Sequence, residues 1–247
     1  MANSYFQFKQ FTIHHDRCAM KTTTDACLFG AWAAIELQKK ILENKQEADL
    51  APKVLDIGSG SGLLSLMLSQ KNAVAIDAVE IEPDAAQQAR ENIQASQWRD
   101  RIEVFNEDIV SFEGSGYDYI ITNPPFYENE LSSSRPEKNL AHHSAALSLM
   151  TLVNTIKEKL KSTGTFFILF PFKRAEELEK TLGLNGLFIQ KRIQVRQSVN
   201  HAPFRVMIMG SAAAPPRVEH DQIDIAGART EYTPAFTDLL KDYYLYL

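Results

Sequence analysis

The order of apolar runs in this chain predicts an α/β fold, a doubly wound and mostly parallel sheet with helices on both faces. Three observations carry that prediction. Short β-branched runs alternate with amphipathic segments along most of the 247 residues, the connections between them are short, and a glycine-rich turn, "DIGSGSGLL", follows the first strong run.

The elements follow in order. After an N-terminal arm, "TDACLFGAWAAIELQKKILE" (24 to 43) predicts a helix with Thr24 or Asp25 as its cap. "KVLDIG" (53 to 58) is a short strand ending in glycine, and "GLLSLMLSQ" (62 to 70) has the apolar density of a buried helix. "VAIDAVEI" (74 to 81) is the next strand. "PDAAQQARENIQ" (83 to 94) opens with proline in the first helical turn and keeps Ala85, Ala89 and Ile93 on one face. Strands follow at 102 to 106 and 117 to 122, then a helix over about 146 to 161, a strand at "TFFILF" (165 to 170) and a helix at "KRAEELEKTLG" (173 to 183). Two last strands, near 187 to 197 and 204 to 211, complete the sheet, and "TPAFTDLLKDYYLYL" (233 to 247) is expected to pack back as a terminal helix. "AAAPPR" (212 to 217) is the most linker-like piece, yet too little follows it for a second domain, so one domain over 1 to 247 is expected, with 1 to 45 as arm and first helix.

Composition narrows the classes. With 45% apolar and 23% charged residues the chain has the makings of an ordinary globular core. It contains no run of about 18 apolar residues, so no membrane partner is expected and the location is expected to be cytoplasmic. Cys18 and Cys27 are its only cysteines and lack a Cys-x-x-Cys spacing, so both are expected to be plain thiols rather than ligands or redox groups. The formal charge of −5 argues against indiscriminate polyanion binding. Between Asn185 and Val218, however, there is no Asp or Glu, while Lys191, Arg192, Arg196, Arg205 and Arg217 are cationic. That stretch is either a strand pair with solvated basic ends or a nucleic-acid contact.

In an open α/β sheet, ligands bind at the carboxyl ends of strands where the strand order reverses, and the first strand-to-helix turn commonly lies there. Gly58, Gly60 and Gly62 in that turn allow a tight backbone path and close approach of a ligand. Their Gly-x-Gly-x-Gly spacing departs from the dinucleotide fingerprint, because Leu63 follows Gly62 directly; this disfavours a nicotinamide dehydrogenase. Glu80 ends the second strand about 20 residues beyond Gly58, where a carboxylate accepts from two ribose hydroxyls, with Glu82 as the fallback. Asp108 and Ile109 follow the third strand, placed to accept from an adenine amino group and to cover its ring. Taken singly, Glu80 is equally a solvated strand end and Asp108 a turn cap.

Asn123-Pro124-Pro125-Phe126 ends the fourth strand. Two prolines remove two backbone donors and stiffen the loop, leaving carbonyls that accept without competing N–H groups. An exocyclic amine is a poor nucleophile because its lone pair is delocalised into the ring. Acceptance of its two hydrogens by the Asn123 side-chain oxygen and the Pro124 carbonyl favours a tetrahedral nitrogen with an available lone pair, and Phe126 can stack on the base for about 1 to 3 kcal/mol.

As an ordered set over 53 to 125, Asp56, the three glycines, Glu80 and Asp108 resemble the S-adenosylmethionine site of Rossmann-like methyltransferases. The resemblance implies a seven-stranded sheet, S-adenosyl-L-methionine as cofactor and no metal. It places the glycine loop at the methionine and ribose end, Glu80 at the ribose, and Asp108 with Ile109 at the adenine. Asp56 then orients the loop or reaches the amino group of the methionine part. The quartet is similar to the Asn/Asp-Pro-Pro-aromatic motif of amino-methyltransferases, which act on adenine N6, cytosine N4 or a glutamine amide. It implies catalytic roles for Asn123, Pro124, Pro125 and Phe126, and leaves nucleic acid and protein both open as targets.

Two further stretches narrow the family. "FQFKQFTIHHDRCAMKTTTDACLFGAWA" (6 to 33) and "YTPAFTDLLKDYYLYL" (232 to 247) resemble the two ends of bacterial tRNA adenine-N6 methyltransferases that modify adenine 37 of a valine tRNA. The family arm reads Met-Lys-Val-Gly-Thr-Asp-Gly. Met20, Lys21, Thr24 and Asp25 match it, whereas Thr22, Thr23 and Ala26 replace the valine and both glycines. The resemblance implies tRNA as partner, and Lys21, Thr24, Asp25 and Asn123 among the cofactor-binding residues; the sequence leaves the oligomeric state open, with a monomer favoured. In the arm, Lys9, His14, His15, Arg17 and Lys21 are interspersed with Phe6, Phe8 and Phe11, a mixture suited to phosphates and unstacked bases, or else a set of core rings with surface histidines. Arg135, Lys138, His142 and His143 lie on a stretch that could cover the site. Acidity overall is compatible with RNA if the arm, this loop and the 185 to 218 stretch share one face. A protein glutamine methyltransferase of the release-factor type normally carries a longer helical N-terminal domain than the roughly 50 residues that precede the first strand. A non-catalytic Rossmann-like RNA-binding module would not need the intact proline quartet.

Overall fold

The computed structural model describes residues 3–43, 51–124 and 147–247. A small antiparallel hairpin, β1 (Tyr5–Gln7) and β2 (Thr12–His14), precedes helix α1 (Thr24–Glu43). The alternating core follows: β3 (Lys53–Ile57), α2 (Leu63–Lys71), β4 (Ala75–Val79), α3 (Pro83–Gln94), β5 (Ile102–Phe105) and β6 (Tyr117–Thr122). Beyond it come α4 (Leu149–Lys159), β7 (Leu160–Pro171), α5 (Ala175–Leu184), β8 (Phe188–Ser198), β9 (Pro203–Ser211), β10 (Glu219–Ala226) and α6 (Pro234–Leu240). The strand order is β10-β8-β9-β7-β6-β3-β4-β5, and β9 alone runs antiparallel to its neighbours.

The sheet has eight strands rather than the expected seven. The extra one, β10, escapes sequence patterning because only its last residues alternate: Ile223 and Ile225 are buried, while Glu219 to Gln222 are exposed at the sheet edge. The hairpin escapes because its strands are three residues each. Helix boundaries move for local reasons. Ala26 N–H donates to the Thr23 hydroxyl at 3.4 Å, so Thr23 opens α1 instead of Thr24 or Asp25. Ser148 accepts from Thr151 N–H at 3.0 Å and starts α4 at Leu149. The expected terminal helix is helical only over Pro234–Leu240, capped by Thr233, and the tail after it docks through buried Tyr243 and Tyr244.

Apolar layers cover both faces. One joins α1, α2, α3, the hairpin and α6, including Phe8, Leu28, Trp32, Met67, Ile93 and Phe236. Here α1 and α2 cross closely: a β-carbon on Gly30 would meet the Met67 sulfur at 2.6 Å, so any larger residue would have to push that side chain aside. The other layer joins α4 and α5 to the sheet and to Ile109 and Phe112. Among the described residues, no helix is long and apolar enough to cross a membrane. Cys27 is buried and Cys18 half-buried; burial pushes the first thiol up to about 12 and the second to about 11, so both stay protonated near neutrality.

Candidate active site

After β3 the chain turns to β4 and β5 on one side, then returns through β6 to build the rest of the sheet on the other, so the strand order reverses between β3 and β6. That is where a doubly wound sheet opens a crevice. Ile57 and Thr122 are the last paired residues of these two strands, and the Thr122 hydroxyl donates to the Ile57 carbonyl at 3.0 Å. The next residue on each strand is therefore Gly58 on one and Asn123 on the other.

All three loop glycines have positive φ, 69° at Gly58, 54° at Gly60 and 80° at Gly62. Among the described residues a β-carbon on Gly58 or Gly60 would meet nothing within 4 Å, whereas Gly62 faces Ala89 and Ile93 of α3. Gly58 and Ser59 N–H both donate to the Val79 carbonyl, at 2.9 and 3.1 Å. Gly60 N–H donates to Glu80 Oε2 at 2.8 Å and Glu82 N–H to Oε1 at 3.0 Å, while the Asn106 amide donates to the Glu80 carbonyl at 2.9 Å. Glu80 is thus a carboxylate held rigidly against the loop, with lone pairs left on each oxygen.

Asp56 lies under the loop and is fully buried. Its Oδ2 accepts from the Ser65 hydroxyl of α2 at 2.6 Å; its Oδ1 has no partner among the described residues. Burial raises its pKa to about 7, the Ser65 bond opposes that, and the Glu80 charge adds to it. Ser59 Oγ and Gln88 Oε1 are likewise buried without partners.

Asp108 is exposed and its side chain accepts from Val110 N–H at 2.9 Å, which makes it the cap of a turn in this structure. The turn buries Ile109 and brings Phe112 onto Phe105, with ring centroids 5.0 Å apart. Lys159 of α4 ties its far end down, donating to the Phe112 and Gly114 carbonyls at 2.5 and 3.3 Å. Asn123 is half-buried and Pro124 buried; Pro125 and Phe126 lie outside the described residues, as do Arg135, Lys138, His142 and His143. At the start of α1, Lys21 and Thr24 are exposed, and Asp25 pairs with Arg205 at 2.9 Å.

The ion pairs and packing bear on the two basic stretches that the sequence left open between a structural and an RNA-binding reading. Lys191 pairs with Glu36 of α1 at 3.1 Å, and its chain neighbour Arg192 pairs with Glu179 of α5 at 2.8 Å, on the opposite face of the sheet. Arg196 pairs with Asp224 at 2.6 Å. Strand alternation splits these cations between two faces, and acids from elsewhere in the chain neutralise them. In the arm, Phe8 and Phe11 are core residues and Phe6 packs on Tyr244; His15 is buried between the Thr22 hydroxyl and the Asn3 carbonyl, and Arg17 pairs with Glu91.

One residue of the site escaped sequence analysis. Asn92 of α3 is buried, and its Nδ2 donates to the carbonyls of His14 and Ser61 at 2.8 and 2.9 Å, tying the hairpin to the glycine loop. The only hint of it is a polar residue beside Ile93 on the buried stripe of α3.

The geometry suits S-adenosylmethionine. Gly58 and Gly60 leave a cradle that β-carbons would fill, Glu80 presents a fixed carboxylate beside it, and Asp56 holds an orphan acceptor beneath it. Comparison with known proteins agrees. Residues 20–198 match the methyltransferase small domain. The chain is 38% identical to a tRNA1(Val) (adenine(37)-N6)-methyltransferase of Dyadobacter fermentans, covering 98% of both chains. It is 36% identical to the enzymes of that name from Parabacteroides distasonis, covering 99% of both, and Cronobacter sakazakii, covering 98% of this chain and 95% of that one.

This chain belongs to the tRNA1(Val) (adenine(37)-N6)-methyltransferase family.

Solved structures share the fold of this family. A predicted O-methyltransferase from Agrobacterium tumefaciens superposes with a TM-score of 0.63 at 14% identity, covering 87% of this chain and 95% of that one. The magnesium protoporphyrin IX methyltransferase of Synechocystis, solved with bound S-adenosylmethionine, gives 0.51 at 14% identity over 78% and 85%.

Proposed function

We propose that this protein transfers a methyl group from S-adenosylmethionine to N6 of adenine 37 in a valine tRNA, through one methyltransferase domain. The observation that supports the reading is that β3 and β6 are in register up to Ile57 and Thr122 at the reversal, so that Gly58 and Asn123 leave the sheet on adjacent strands. Relatives at 34 to 38% identity along the whole chain bear the corresponding name.

When bound, the cofactor supplies a methyl group on an electron-poor sulfur. The chain's residues do the rest by binding and positioning. Glu80 would hold the ribose hydroxyls, the backbone at Gly58 and Gly60 would face the ligand, and the orphan oxygen of Asp56 would take a donor from the methionine end. Ile109 would cover the adenine ring and Asp108 would accept from its amino group. On the substrate side, the Asn123 side-chain oxygen and the Pro124 carbonyl accept from the two hydrogens of the target amine, freeing its lone pair. Phe126 stacks on the base. An anticodon-loop adenine is already partly unpaired, so presenting it costs less than extruding one from a duplex.

The test is transfer of labelled methyl to unmodified total tRNA, with DNA and release factors alongside and nucleoside analysis of the product. N6-methyladenosine in a valine tRNA alone supports the reading, and label in protein glutamine overturns it.

A further inference from the structure

Lys191, Arg192, Arg196 and Arg205 of the 185 to 218 stretch are ion-paired, so the cations that face RNA are sought among those with no acidic partner in the described residues. The parallel strands all deliver their carboxyl-end loops to one rim of the sheet, where Asn123 sits, and the antiparallel β9 starts there. That rim is divided in charge at the β3/β6 reversal. On the β4 and β5 side, residues 80 to 84 and 106 to 116 carry Glu80, Glu82, Asp84, Glu107, Asp108 and Glu113 and contain neither Lys nor Arg. On the other side the loop after β7 carries Lys173 and an Arg174 paired with Glu177, the turn after β8 carries His201, and the loop after β10 carries Arg229 with Glu231 as its one acid.

These basic positions form one continuous edge. Arg205 at the start of β9 is in register with Pro171 at the end of β7, Ala226 is in register with Ser198, and Val199 N–H donates to the Ala226 carbonyl at 3.2 Å. Lys173, His201 and Arg229 are exposed, and among the described residues Lys173 and Arg229 make no ion pair. The Ser198 hydroxyl lies 2.7 Å from His201 Nδ1 and orients that ring. Half-buried aromatics interleave with the charges: the Arg192 guanidinium lies 5.5 Å from the Phe172 ring centre and that of Arg205 5.6 Å from Phe204. From β6 across β7, β9 and β8 to β10 is four interstrand spacings, about 19 Å, enough to track several nucleotides.

We propose that the β7–β9–β8–β10 half of this rim, through Lys173, His201 and Arg229, is the docking surface for the phosphates of the anticodon arm, while the acidic β4–β5 half repels them. This rests on the tRNA reading above. A net charge of −5 is no obstacle, because the potential that RNA meets is set by the patch it approaches. Each cation that neutralises a phosphate adds about 0.7 to 0.9 to the slope of log affinity against log salt.

The deciding experiment compares two charge-matched double variants of the full chain, K173E/R229E on this edge and R99E/R101E at the opposite end of the sheet. Affinity for unmodified valine tRNA is measured across salt concentrations, with S-adenosylhomocysteine affinity and thermal unfolding as folding controls. K173E/R229E is expected to weaken tRNA binding at least tenfold and flatten the salt slope by about 1.5, leaving S-adenosylhomocysteine affinity unchanged. R99E/R101E is expected to stay within twofold on all counts. Equal losses in both variants, or none in K173E/R229E, would overturn the surface alone. A wild-type protein that binds S-adenosylhomocysteine but no tRNA would overturn the tRNA reading, and the surface with it.

Discussion

Asn92 and His14 exchange two hydrogen bonds: the His14 N–H donates to Asn92 Oδ1 at 3.0 Å, and Asn92 Nδ2 donates to the His14 carbonyl at 2.8 Å. The second N–H of the same amide reaches Ser61 in the glycine loop at 2.9 Å. One buried side chain thus fixes the N-terminal hairpin and the cofactor loop relative to each other, with Arg17–Glu91 as an outer clasp.

Asn92→Ala should destabilise the protein by about 2 to 3 kcal/mol, because three backbone groups lose their partner while still enclosed. Hydrogen exchange should accelerate together at residues 12 to 15 and 58 to 62, and S-adenosylhomocysteine affinity should fall. Faster exchange in the hairpin alone would show that the two segments are held independently.

Asn123→Ala should lower kcat at least 100-fold, about 2.7 kcal/mol of transition-state stabilisation, since it removes an acceptor that acts as the amine becomes tetrahedral. S-adenosylhomocysteine affinity should stay within a few fold. A large affinity loss in calorimetry would mean that Asn123 serves the cofactor instead of the substrate.

Gly58→Ala should fold, because the new β-carbon meets no atom within 4 Å, with a cost of about 1 kcal/mol from its positive φ. The methyl group occupies space the ligand needs, so S-adenosylhomocysteine binding should weaken far more than stability does. Urea unfolding and equilibrium binding on the same preparation separate the two effects.

Asp56 links stability to pH. Its pKa is raised from 3.8 to about 7 by burial, so between those values the folded state binds more protons than the unfolded one. Stability from this group is therefore lost as pH rises from about 4 to 7, by a few kcal/mol at most. Asp56→Asn should match the wild type at pH 4 and exceed it at pH 8 in ligand-free thermal unfolding. Parallel pH profiles for the two proteins would remove Asp56 as the source.

Much of this molecule is legible in local signals. The apolar runs at 53 to 58, 74 to 81 and 117 to 122 form strands over Lys53–Ile57, Ala75–Val79 and Tyr117–Thr122, because buried parallel strands need continuous apolar residues whatever surrounds them. The glycine loop and Asn123 fall at the reversal because strand ends follow from strand order. Glu80 is identifiable by position, whereas its bonds to Gly60 and Glu82 are visible only once the loop folds over it.

By itself the sequence determined the alternation of elements, the glycine-rich turn after β3 and the family. Those depend on residues near one another in the chain. Tertiary structure alone decided which charges remain available, because Lys191 meets Glu36 and Arg205 meets Asp25 across more than a hundred residues. It also decided the roles of Asn92 and β10. A side chain's partner and an edge strand's pairing depend on what the fold brings alongside, and no local pattern encodes that.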